Sequence, residues 1–144
     1  LNNIDYGSER SLDISSVNEI TKRVVTASTT ECGLIGFISA LSGVGVSANK
    51  VGYVAGMFDD GDVRYIRVTN LDDTNYATLN IEGDSSTDFS VRLDPGSSHL
   101  LVSSSTTGVV DYGSISGGAL QDLTAIKATA NTAAVDLEVF VASA

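Results

Sequence analysis

Aliphatic residues alternate with Ser and Thr along most of this 144-residue chain. That pattern predicts an all-β fold, a single antiparallel β-sandwich of jelly-roll type with an extended N-terminal arm. Turn signals recur about every 8 to 12 residues, the spacing of a sandwich. Residues able to do chemistry are scarce: one His, one Cys, one Met and no Trp, with a single Pro against 14 Gly. At this length one domain forms and buries roughly 70% of the surface of the unfolded chain. Hydrophobic residues make up 42% of the sequence but aromatics only 6%, so Val, Leu, Ile and Ala must build the core.

Residues 1–8 are too polar to nucleate structure and read as the arm, leaving 9–144 as the domain. Alternation over 9–14 puts Leu12 and Ile14 on one face, and 20–27 is a Val- and Thr-rich strand. Runs 33–41 and 50–58 are apolar on both faces. Leu34, Ile35, Phe37, Tyr53 and Phe58 in these runs are therefore candidates for core or subunit contact. Strands then follow at 63–71, with Arg64, Ile66 and Val68 on one face, and at 76–82, with Ala77, Leu79 and Ile81 inward. Residues 88–93 place Phe89, Val91 and Leu93 together, and Asp94-Pro95-Gly96 is a strong turn before a strand at 98–103. A short edge strand is expected within 109–115. A closing hairpin joins 123–129 to 134–142, where Val135, Leu137, Val139 and Val141 share a face. Leu120, Leu123 and Ile126 also fit helical spacing, but Thr124 and Thr129 on either side of Ile126 favour strand.

With 8 basic and 18 acidic residues the formal charge is −10. Such a surface repels phosphate and excludes nucleic acid as a partner bound by charge. No run reaches the roughly 18 apolar residues of a membrane-spanning helix, and residues 1–10 lack the pattern of a signal peptide. Cys32 is alone and reads as a small buried hydrophobe.

Each candidate for chemistry has a plainer explanation. His99 adjoins Ser98, but neighbours on a strand point to opposite faces and cannot act as base and nucleophile. Asp59-Asp60-Gly61-Asp62 offers close carboxylates to a Ca²⁺ ion, yet it lacks the spacing and distal Glu of an EF-hand and suits an ordinary turn. Asp72, Asp73, Asp84 and Asp88 join it only if the turns cluster at one end of the sandwich. Tyr6, Tyr53, Tyr65, Tyr76 and Tyr112 are too scattered for a sugar platform. Gly33, Gly36, Gly43 and Gly45 form no phosphate-binding motif, and Arg64 and Arg67 read as rim ion-pairing residues. No enzymatic activity, metal or cofactor is expected.

Three segments carry a resemblance: Tyr65-Ile66-Arg67-Val68-Thr69-Asn70-Leu71-Asp72, the turn Leu93-Asp94-Pro95-Gly96-Ser97, and the pair 126–131 and 135–141. With the opening Asn3-Ile4-Asp5-Tyr6-Gly7-Ser8, they resemble small β-sandwich proteins of tailed bacteriophages. That resemblance implies a virion component on the capsid surface, a decoration or cement protein. It would bind the major capsid protein and assemble as a homo-oligomer, a dimer or trimer. Asn3, Ile4, Asp5 and Tyr6 would then reach a neighbour. A tail, fibre or knob component is the rival within virions, and a carbohydrate-binding module the rival outside them.

Overall fold

The computed structural model describes residues 13–14, 17–38, 57–59, 61–83, 88–102, 111–113 and 120–144. The chain is all-β, with no helix among the described residues, and ten strands form two sheets. They are β1 (Glu19–Ala27), β2 (Cys32–Ile38), β3 (Met57–Asp59), β4 (Val63–Asn70), β5 (Ala77–Gly83), β6 (Asp88–Leu93), β7 (Ser98–Val102), β8 (Asp111–Gly113), β9 (Leu120–Ala130) and β10 (Val135–Ser143). Sheet A has the order β1-β10-β4-β7. Sheet B runs β3-β2-β9-β5-β6, with β8 also paired to β9.

The two sheets share one core in a sandwich-like arrangement. Val135, Leu137, Val139 and Val141 of β10 and Ile66 and Val68 of β4 line sheet A's inner face. Leu79 and Ile81 of β5, Leu93 of β6, and Ile126 and Ala128 of β9 answer from sheet B. The alternation read for β5, β6 and β10, and for Ile66 and Val68 of β4, thus predicts the buried set closely, because a strand with one wet face has a side-chain period of two. The Asp94–Ser97 turn also forms as expected. Gly96 takes φ +69°, and the Ser97 amide donates to the Asp94 carbonyl at 3.0 Å, the type II geometry that Pro followed by Gly favours.

The segment 120–126 is strand, so the helical alternative falls. Residues 123–129 and 134–142 make no hairpin: β9 lies between β2 and β5 in sheet B, while β10 lies between β1 and β4 in sheet A. The link from Asn131 to Ala134 is an arch between sheets. It is held by the Ala130 amide on the Ser28 carbonyl (2.8 Å) and the Asn131 amide on the Tyr76 carbonyl (3.2 Å). Nor is the fold wholly antiparallel, since β3 joins the edge of sheet B parallel to β2. Asp13 and Ile14 are not strand; the rest of 9–14, and most of 50–58, fall outside the described residues.

Two register shifts explain where alternation misleads. Between β2 and β9 the pairing passes from Gly33↔Lys127 to Ile35↔Ile126, leaving Leu34 as an extra residue. Leu34 and its neighbour Ile35 consequently both enter the core. Between β4 and β10 the pairing passes from Tyr65↔Ala142 to Val63↔Ser143, with Arg64 as the extra residue. Val63 is therefore buried with Ile66 and Val68, and Arg64 breaks the alternation that grouped it with them. Its guanidinium donates to the Gly61 carbonyl.

A candidate interaction surface on the outer face of sheet A

The inward set of sheet A leaves a second set facing out, and the register arranges it in rows across the strands. One row is Ile20, Ala142, Tyr65 and Val102; the next is Lys22, Phe140, Arg67 and Leu100; a third is Val24, Glu138, Thr69 and Ser98. Four large aliphatic side chains here are open: Ile20 is 63% exposed, Val24 56%, Leu100 50% and Val102 47%. The Tyr65 and Phe140 rings meet edge to face at 5.7 Å, and the Arg67 guanidinium lies 5.5 Å from the Phe140 centroid. Glu138 accepts from Lys22 at 2.9 Å and from Arg67 at 2.8 Å, joining β1, β10 and β4. Lys22 first, then Arg67, holds the Glu138 carboxyl below its ordinary range. Thr69 and Ser98 share a hydrogen bond of 2.7 Å, and Thr26 donates to Asp136 at 2.6 Å. The polar groups of this face are thus largely matched internally, while its aliphatic groups are open.

Sheet B's outer face is different in kind. Its rows are Thr129, Thr78 and Arg92, then Lys127, Asn80 and Ser90, then Ala125, Glu82 and Asp88. Lys127 reaches Glu82 at 2.6 Å and Glu31 at 3.5 Å, and Glu82 raises its pKa. Arg92 pairs with Asp94 at 2.7 Å and lies 4.0 Å from the Tyr76 centroid. None of the chain's exposed large aliphatic residues among those described lies on this face. Apolar surface concentrated on one sheet marks a contact region more than scattered exposure would.

Leu34, Ile35, Phe37 and Phe58 are buried in the inter-sheet core, away from this face. Asn3, Ile4, Asp5, Tyr6 and Tyr53 lie outside the described residues. Sequence reasoning missed Ile20, Val24, Leu100 and Val102 as surface candidates. The signal was present, since each sits in a strand whose opposite face also carries an apolar residue, Val25 or Leu101.

The acidic turns spend their oxygens locally. Asp72 accepts the Thr74 amide at 2.7 Å and the Asn75 amide at 2.6 Å, with the Asn75 bond foremost in depressing its pKa. Asp59 accepts the Gly61 amide at 3.1 Å. Strand β4 separates the turn ending at Asp62 from that at Asp72, so the two do not cluster. A cavity of about 110 Å³ near Asp59 is lined by Glu19, Met57, Phe58, Asp59, Asp62, Ser143 and Ala144. Among the described residues no group of three or more His, Cys, Asp or Glu is placed to hold a metal ion.

His99 pairs in register with the buried Val68, whereas Ser98 bonds Thr69 on the outer face. The His99 Nε2 is buried with no hydrogen-bond partner, and burial lowers the imidazole pKa from its ordinary 6.5. The unfolded chain then binds a proton more readily than the folded one. Stability contributed by neutral His99 is complete above about pH 6.5 and declines as pH falls toward the lowered folded value. His99→Gln should remove that part of the decline, read as urea midpoints of both proteins between pH 7 and 5. Parallel curves for the two would contradict it.

No family model, curated protein or solved structure matches this chain.

Proposed function

We propose that the chain is a structural virion protein that decorates the outer capsid surface and cements neighbouring major capsid subunits, docking through the outer face of sheet A. The observation that carries this reading is the contrast between the two outer faces: open Ile20, Val24, Leu100 and Val102 on one, charged and hydroxyl residues on the other. Strand order supports the architecture implied by the sequence. With β3 and β8 set aside, the sheets read β1-β10-β4-β7 and β2-β9-β5-β6. In a jelly roll, eight strands fold as two Greek keys, and the design serves viral capsid and lectin domains alike. Fold analogy does not choose between those uses; the apolar face favours a flat protein contact over a sugar. In this reading residues 1–8 reach onto a neighbouring subunit as a second contact.

Purified protein mixed with undecorated heads of its own phage should co-sediment at a fixed stoichiometry and raise the temperature at which the heads break. A folded protein that leaves the heads unbound would overturn the proposal and move the weight to a tail component or a glycan-binding module.

A further inference from the structure

Strand β1 is an end strand of sheet A, paired to β10 on one side and, among the described residues, to nothing on the other. An open edge of nine residues is a template for another strand. Its charges are also unbalanced in a specific way. Lys22 is matched to Glu138. Glu19 and Arg23 share the opposite face of the strand and have no ion pair among the described residues. Arg23 donates to the Leu34 carbonyl, but its Nε is buried without an acceptor, and burial lowers the guanidinium pKa.

Glu19 and Arg23 stand at equal distances on either side of Thr21. An antiparallel pair with its two-fold axis at Thr21 therefore sets each Glu19 opposite the partner's Arg23, twice per pair. Thr21 meets the partner's Thr21 at the axis, and Ile20 lies beside the methylene stem of the partner's Lys22. We infer that β1 pairs with β1 of a second copy in this register, joining two four-stranded A sheets into one continuous eight-stranded sheet. The far edge strand of sheet A, β7, which has no second partner among the described residues, has the sequence SHLLV and offers no carboxylate or guanidinium to match Glu19 and Arg23. A β1-to-β7 contact would also be heterologous and would propagate, whereas the two-fold pair closes at two. The dimer brings both copies' outer faces to the same side. Its formation does not depend on docking to a capsid.

Charge reversal tests the register. Sedimentation equilibrium at low salt should find wild-type protein dimeric. Glu19→Arg sets like charges opposite each other, as does Arg23→Glu, and each should weaken the dimer at least about tenfold. The double variant E19R/R23E restores opposite charges and should regain most of the affinity. All four proteins are compared by circular dichroism and melting temperature, so a variant that dissociates because it unfolds is recognised. Disulfide cross-linking of Thr21→Cys, with wild-type protein as the control for Cys32, reads the axis directly even if a charge variant folds poorly. A monomeric wild type, a trimer or larger ring, dimers indifferent to the single reversals, or a double variant that fails to recover while folded would each overturn the inference.

Discussion

Leu137→Ala is expected to lower the unfolding free energy by about 3 to 4 kcal/mol, because it empties the site of a large, fully buried aliphatic side chain. Leu137 lies on the central strand β10, between Val25 of β1 and Asn70 of β4, and is completely buried. Strands on both sides are fixed by backbone hydrogen bonds, so neighbouring side chains cannot close the cavity that Ala leaves. In a domain of ordinary stability, about 5 to 15 kcal/mol, this is at least about a fifth of the total and can exceed half of it. It should lower the melting temperature by about 6 to 15 °C at this chain length. Val24→Ala on the same sheet removes exposed methyls and should cost less than about 0.5 kcal/mol. Urea denaturation of the pair checks both values. A Leu137→Ala loss below about 1.5 kcal/mol would mean that the core is not packed as described.

Asn70→Ala should cost about 2 to 4 kcal/mol, although it removes only a short polar side chain. Asn70 is fully buried at the end of β4, and every polar group of its side chain is used. The amide nitrogen donates to the Asn75 carbonyl at 2.9 Å and to the Leu93 carbonyl at 3.1 Å, and its oxygen accepts the Asp72 amide at 2.9 Å. Its backbone also engages the next turn, donating to the Ser97 carbonyl and accepting from the Gly96 amide. One residue thereby ties sheet A to the end of β6 in sheet B and orders both flanking loops. Truncation strands two carbonyls and an amide with no partner. Asn70→Asp should be worse still at neutral pH, because a carboxylate faces those two carbonyls. Its deficit relative to wild type should shrink as pH falls, since the protonated acid can donate to one of them. Denaturant titrations of the three proteins at pH 7 and pH 5 give the comparison. An Asn70→Asp protein as stable as wild type at pH 7 would refute the clasp.

The same residues mark how far the sequence could be read. Strands β5 and β10 were legible because a single aliphatic set alternates with polar residues, and the Asp94–Ser97 turn was legible because Pro and Gly each demand one backbone conformation. Asn70 falls near the end of the strand read at 63–71, and nothing local reveals that the loop after it folds back over its side chain. The bulges at Leu34 and Arg64 were invisible, because an extra residue changes the face of its neighbours without changing composition. The β9–β10 arch mimics a hairpin because both need a short polar link, and only the partners of each strand distinguish them. Ile20 and Val24 went unremarked for a related reason. In β1 both faces mix aliphatic and polar residues, so periodicity cannot say which one meets water.

The central claim is that the outer face of sheet A, and not that of sheet B, meets the capsid. Leu100→Asp and Ser90→Asp place one carboxylate at an exposed position on each of those faces. Binding of both variants to undecorated heads, measured by co-sedimentation against wild type, tests the claim directly. Loss of at least about tenfold in affinity for Leu100→Asp, with Ser90→Asp unchanged, is the predicted result. Equal binding by the two variants, or loss confined to Ser90→Asp, would contradict it.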